Sequence, residues 1–233
     1  MAVAEELKLP LMHIARTAEL QALSGRSGAL PEPQTGLPSL LDIQQTADMT
    51  VQLLDNYLLS LRLAAVPDGE LHIEAVPVAA VLQDAVAQLG NVARQYGVEL
   101  ELKVQGRFQP VITDRRALRG AMVSLGYALI EALPAAGVSR LRLQLAAHRT
   151  KYGIVAGVYG ELDELTPRQF RRAFELQGAA RQPLVSSLPG SGAGIFVADA
   201  ILTALSRRLR VGRFNNLPGF AVTLPASEQL QLV

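Results

Sequence analysis

The sequence predicts an α+β protein in which a two-helix hairpin precedes helices that cover one face of a mixed β-sheet. Two observations predict this class. Apolar residues recur at helical spacing through the first 65 residues, and segments of alternating polarity begin near Leu71. A chain of 233 residues is long enough for two modules with separate cores. We therefore divide it into a helical hairpin, residues 1–66, and an α/β domain, residues 67–233.

Composition excludes several classes of protein. The chain has no cysteine, so disulfides and thiolate metal sites are absent, and its three histidines form no cluster with metal-ligand spacing. A net charge of +1 predicts no contact with nucleic acid or an anionic membrane. No apolar run reaches the roughly 18 residues of a membrane-spanning helix, and the first residues lack the basic-then-apolar order typical of a signal peptide. We expect a cytoplasmic protein.

Two apolar stripes predict the hairpin. The first runs from Leu7 to Ala18, and after the Gly- and Pro-rich segment "SGRSGALPEPQTGLP" a second begins at Leu40. Its members recur at heptad spacing, which is typical of helices in bundles. We predict that the hairpin pairs with a second copy as a four-helix dimer; the alternative is docking on the second module. The heptad residues are Leu40, Ala47, Val51, Leu54, Leu58 and Leu61.

The second module alternates helices and strands. Helices are predicted over "VAAVLQDAVAQLGNVARQYG", ended by Gly97, over "RRALRGAMVSLGYALIEAL", ended by Pro134, around residues 168–174, and over "IFVADAILTALSR". Strands are predicted over "ELHIEAVPV", "VELELKVQG", "PVITD", "SRLRLQLAAH" and "YGIVAGVYG". A closing hairpin is predicted from "RLRVGRF" and "GFAVTLP". The pattern indicates helices on one face of a mixed sheet.

The order of these parts resembles the cytoplasmic core of bacterial sensor histidine kinases along nearly the whole chain. Residues 4–11, "AEELKLPL", resemble the family's phosphoacceptor box, Ser-His-Glu-Leu-Arg-Thr-Pro-Leu. Glu5 stands where the family has its histidine, Glu6 stands at the acid that follows, and Pro10 matches the helix-bending proline. A carboxylate at Glu5 is a poor phosphate-storing nucleophile. It is either a mimic of phosphohistidine charge or a plain surface acid.

The resemblance also extends to the family's nucleotide boxes. The helix that begins after Asp114 aligns with the family helix carrying Asn-x-x-x-Asn, in which an asparagine oxygen ligates Mg²⁺. Ser124 and Ala128 occupy those two positions. A shift of register would let Glu131 replace the metal ligand, but it would misplace Pro134. We therefore expect Mg²⁺ binding to be weak or absent.

The two glycine-containing boxes differ in how much they retain. In the family's adenine-binding Asp-x-Gly-x-Gly box, Gly160 replaces the aspartate, and Asp163 is a substitute that could face the base. The turn "GSGAGI" keeps the three glycines of the phosphate-binding box, Gly190, Gly192 and Gly194. Glycines are also needed for positive φ in a tight turn before a helix, and this structural interpretation is the one we favour.

These substitutions predict a kinase relative that lacks the phosphoacceptor histidine and most ATP and Mg²⁺ ligands. The leading hypothesis is a dimeric protein-interaction or regulatory module in two-component-type signalling, whose partner is a response-regulator receiver domain or another kinase. The expected docking residues are Leu9, Met12 and Leu59. The alternative is a divergent kinase or phosphatase that still binds ATP or ADP. Whether the chain is an enzyme stays open.

The C-terminal segment "ASEQLQLV" resembles the short peptides with which bacterial proteins bind the replication sliding clamp. Gln229 and Leu230 would lead that contact, but Val233 stands where the peptides carry an aromatic residue. A frayed tail or an added strand is the alternative interpretation.

Overall fold

A computed structural model describes Ile14 and residues 40–65, 71–132, 141–161 and 193–225. Ile14 is helical, in agreement with the first predicted helix, whose other residues lie outside the described ones. The elements, in chain order, are helix α1 (Leu40–Ala65), strand β1 (Ile73–Val76), helix α2 (Val78–Gln95), strands β2 (Glu99–Gln105) and β3 (Val111–Asp114), helix α3 (Arg115–Ala132), strands β4 (Arg142–Thr150) and β5 (Gly153–Gly160), helix α4 (Ala193–Ala204), and strands β6 (Arg210–Phe214) and β7 (Leu217–Leu224).

Five strands form one mixed sheet in the order β2-β4-β5-β7-β6. Strand β2 is parallel to β4, whereas the other neighbouring pairs are antiparallel. Strands β1 and β3 pair in a separate two-stranded sheet. The main hydrophobic core lies between one face of the large sheet and helices α2, α3 and α4. This arrangement confirms the predicted α+β layer with helices on one face of a mixed sheet.

Local chain reversals follow from the residues that form them. Gly97, just after α2, has a φ of +67°, a conformation that glycine adopts without a Cβ penalty. Asn215 and Asn216 join β6 to β7 with φ values of 49° and 66°. Two residues with positive φ form the hairpin turn whose twist matches the flanking strands, and asparagine tolerates that conformation. The predicted helix end and closing hairpin are both confirmed.

Helix α1 packs on the helical layer through one side only. Its buried side chains include Met49, Leu53 and Leu63, which belong to the main core, together with Asn56 and Ser60. Four of the predicted heptad residues face the other way, so docking on the second module uses a different side of the helix from the predicted seam. We call four of these heptad residues the exposed stripe: Val51, Leu54, Leu58 and Leu61, which are 58%, 37%, 45% and 48% exposed.

Candidate functional site

Most of the residues that carry the resemblance to the phosphoacceptor hairpin lie outside the described ranges. These are Glu5, Glu6, Leu9 and Met12. Leu59 lies on α1, where it is 8% exposed and packs in the main core. Its side chain therefore has little surface to offer a partner, and the predicted docking surface rests on Leu9 and Met12.

Asp114 fixes the start of the helix that resembles the metal-binding helix of the kinases. It is the last residue of β3, and its carboxylate accepts the backbone N–H of Ala117 at 2.8 Å, which satisfies a donor in the first turn of α3. The same carboxylate accepts the backbone N–H of His72 at 2.7 Å, just before β1. Asp114 thus ties the small sheet to α3 and sets the register of that helix.

Three small residues on α3 lie on one side of the helix because they are four residues apart. We call Gly120, Ser124 and Ala128 the small-residue face. Ser124 is 1% exposed and Ala128 is 7% exposed. The two positions that resemble the kinase asparagines are therefore buried.

Helix α4 covers the small-residue face at its own first turn. A Cβ on Gly194 would lie 2.4 Å from the carbonyl oxygen of Ser124 and 3.1 Å from the Cβ of Ala128. Its φ is not positive, so the need for glycine comes from the close approach of two helices. The positive φ that we expected at this glycine is absent, and close packing explains its small size instead. Gly190 and Gly192 lie outside the described residues.

Helix α1 covers the same face through Asn56. The Nδ2 group of Asn56 donates to the carbonyl oxygen of Gly120 and to Oγ of Ser124, both at 3.3 Å. The Asn56 side chain is buried, so these bonds replace lost contacts with water. Sequence reasoning missed Asn56. The signal that could have found it is a polar residue within the helical repeat formed by Met49, Leu53 and Leu63.

The remaining predicted nucleotide residues are Gly160, Asp163 and Glu131. Gly160 is buried at the end of β5, opposite Leu143 of β4, and Asp163 lies outside the described residues. Glu131 lies in the last turn of α3, close to Tyr96. Burial raises the pKa of the Tyr96 hydroxyl, and the nearby Glu131 carboxylate raises it further.

The donors on the small-residue face do not fit Mg²⁺. Ala128 has no oxygen donor in its side chain, and the Ser124 hydroxyl already accepts a hydrogen bond from Asn56. A hard divalent cation takes several oxygen ligands, usually including carboxylates. Among the described residues, no group of three or more His, Cys, Asp or Glu side chains could hold a metal ion.

Within the same ranges, every helix is too short or too polar to cross a membrane.

No family model matches the sequence, and no curated protein matches it. Solved structures do resemble it. The histidine kinase AdeS of Acinetobacter baumannii superposes with a TM-score of 0.54 at 16% identity, over 96% of this chain and 98% of that one. Full-length ShkA in complex with AMPPNP gives 0.57 at 16% identity, over 96% of this chain and 46% of that one. The histidine kinase ThkA, in complex with the response regulator TrrA, gives 0.53 at 12% identity, over 98% of this chain and 61% of that one. The chain therefore has the fold of a histidine kinase core.

Proposed function

We propose that the chain is a histidine-kinase-like module that does not transfer phosphate and acts through protein contacts in two-component-type signalling. The observation that carries this proposal is that helices α1 and α4 cover the small-residue face. Ser124 and Ala128 replace the asparagines of the kinases, and both side chains are buried beneath Gly194 and Asn56. Catalysis of phosphoryl transfer consists mostly of positioning and neutralising phosphate charge, usually with Mg²⁺. A helix face without free oxygen donors does not supply these functions.

Titration calorimetry with ATP and ADP, with and without Mg²⁺, tests the loss of nucleotide binding. We expect no heat of binding up to millimolar nucleotide from protein whose folding is checked by circular dichroism. Micromolar binding would overturn the proposal and favour the divergent kinase or phosphatase. In that case Glu5, Glu131 and Asp163 are the residues to substitute next.

We propose further that the exposed stripe of α1 pairs with a second copy of the chain, as part of a four-helix bundle. Four large apolar side chains repeat along one side of a single helix and remain between 37% and 58% exposed. Apolar surface that is contiguous in this way usually marks an interface. Heptad spacing is the pattern that lets side chains of neighbouring helices interlock. A dimer would bury the stripe without disturbing the opposite side of α1.

Sedimentation velocity distinguishes this dimer from a monomer. Leu58→Glu places a charge in the centre of the exposed stripe and should shift the protein to monomer, because an unpaired charge is costly to bury. Asp48→Asn is the matched control, since Asp48 is exposed on the same helix outside the stripe. A Leu58→Glu protein that remains dimeric would refute the assignment of the interface.

The proposed partner is the receiver domain of a response regulator. Support comes from ThkA, a structural neighbour whose structure contains its response regulator TrrA. The predicted docking surface includes Leu9 and Met12, and the neighbouring cations Lys8 and Arg16 allow a test by charge reversal. We expect Lys8→Glu or Arg16→Glu to weaken capture of a receiver domain in a pull-down. Equal capture by the variants and the unmodified chain would count against this partner.

A further inference from the structure

We propose that the small-residue face of α3 is a binding site for helix α1 of the same chain, and that Asn56 is the positioning residue that holds this helix in a fixed orientation on the ATPase-like domain. This inference rests on the proposed function in one respect only, namely that no nucleotide or metal competes for the face. It assigns a packing role to Ser124 and Ala128, the positions at which the resemblance predicts a missing metal ligand.

The hydrogen-bonding capacity of Asn56 matches the site. Its amide nitrogen carries two hydrogens, and the two acceptors, the carbonyl oxygen of Gly120 and Oγ of Ser124, each lie 3.3 Å from it. All three residues are buried. A buried amide that lost these acceptors would keep the full cost of leaving water, so the contact selects one arrangement of α1.

Residue size on α3 is matched to this contact. A Cβ on Gly120 would lie 2.9 Å from Oδ1 of Asn56 and 3.7 Å from Cδ1 of Ile201 on α4. Any larger side chain at Gly120 would therefore push Asn56 away. Ser124 is small enough to lie under α1 and α4 at once and still offers an acceptor. The small-residue face fits a helix bearing an asparagine.

A second polar contact fixes the direction of α1. Nε2 of Gln95, the last residue of α2, donates to Oγ1 of Thr46 at 3.1 Å. Thr46 and Asn56 are ten residues apart, which is about 15 Å along a helix. Two directional contacts at that separation, with Met49, Leu53 and Leu63 buried alongside, define both the position and the rotation of α1.

This arrangement predicts that α1 and the domain move as one body. A change in the orientation of α1 would then be passed to the domain by rotation of the whole unit. Without the Asn56 contact, α1 would keep its apolar packing but lose the interaction that fixes its rotation.

Pulsed electron-electron double resonance tests the proposal directly, because the chain has no cysteine and accepts two spin labels at chosen sites. Labels at Asp55→Cys on α1 and Arg116→Cys on α3 occupy exposed positions. Dilution with unlabelled protein removes distances between copies. We expect a narrow distance distribution in the otherwise unchanged chain and a broadened one in Asn56→Ala. Amide hydrogen exchange along α1 should be roughly tenfold faster in that variant.

The controls separate a lost contact from a damaged fold. Asn91→Ala removes a half-buried asparagine whose side-chain carbonyl accepts from Arg94, and it should leave the distribution narrow. Ser124→Ala removes one of the two acceptors and should broaden the distribution less than Asn56→Ala. Each variant is compared only after circular dichroism shows native helix content. If Asn56→Ala fails that check, Ser124→Ala decides the question. The proposal is overturned if folded Asn56→Ala shows an unchanged distance distribution and unchanged hydrogen exchange. If only Ser124→Ala is folded, the same result in that variant overturns it. Either conclusion holds whatever the outcome of nucleotide titration.

Discussion

Substitution of Gly194 by alanine separates the two explanations of the glycine turn. The added Cβ would lie 2.4 Å from the carbonyl oxygen of Ser124, closer than real Cβ contacts allow, and 3.1 Å from Cβ of Ala128. Both atoms belong to rigid parts of α3, so α4 would have to shift. Overpacking of this kind costs about 1–3 kcal/mol, and in a chain of this size each 1 kcal/mol lowers the Tm by roughly 2–4 °C. We expect the Tm to fall by roughly 2–12 °C.

Gly90 provides the matched control, because it lies inside α2 and a Cβ there would meet nothing within 4 Å. Gly90→Ala should raise stability by about 0.5–1 kcal/mol through the lower conformational entropy of the unfolded chain. Thermal unfolding in the absence of nucleotide is the assay. If Gly194 served only to bind phosphate, Gly194→Ala would also leave the Tm unchanged or raise it. A rise would refute the packing argument.

Three further predictions concern ionisation and the two sides of α1. Burial raises the pKa of Tyr159 to about 12 from an ordinary 10.0. The free energy of unfolding should therefore fall as the pH rises between those values, by up to about 1.4 kcal/mol per pH unit. Urea unfolding of Tyr159→Phe across that range should lack this loss. Burial raises the pKa of Asp199 and the N–H of Leu209 lowers it by less, so the folded protein favours the neutral carboxyl and gains stability as the pH falls through that pKa. Asp199→Asn, which keeps an acceptor for Leu209, should match or exceed the native Tm at neutral pH and lose that gain, and a lower Tm would contradict the reasoning. Leu63→Ala should lower the free energy of unfolding of the monomer by about 2–5 kcal/mol, measured by chemical unfolding. Leu61→Ala on the exposed stripe should change that free energy by less than about 0.5 kcal/mol. Equal costs would be inconsistent with one-sided packing.

The elements of the second module could be predicted because their signals are local. The positive φ values of Asn215 and Asn216 depend on those two residues and on the strands beside them. The end of α2 depends on Gly97. Alternation along β2 predicted a half-buried strand, but Leu102 and Val104 on its apolar face are 36% and 38% exposed, because β2 lies at the edge of the sheet.

The packing side of α1 could not be predicted in the same way. Heptad spacing pointed to Val51, Leu54, Leu58 and Leu61, yet these residues form the exposed stripe. The side that packs on the domain interleaves polar residues with leucine and methionine, so it has no strong hydrophobic periodicity. Its polar members, Thr46, Thr50, Asn56 and Ser60, are each no more than 6% exposed. Thr50 and Ser60 donate to carbonyl oxygens of α1 itself, whereas Thr46 accepts from Gln95 and Asn56 donates to α3. Sequence spacing carries no information about the distant partners of Thr46 and Asn56.

The small residues at positions 124 and 128 supply no asparagine ligand and lie in contact with neighbouring helices. An asparagine at position 124 would have to share its site with Asn56, whose amide already approaches Oγ of Ser124 at 3.3 Å. An asparagine at position 128 would meet Gly194, since even the present Ala128 Cβ lies 3.1 Å from where a Cβ on that glycine would be. Close packing leaves no space for two functions on one helix face. Asparagines at positions 124 and 128 would therefore displace α1 or α4 before they created a metal site, and the small side chains of α3 are best explained by what they contact.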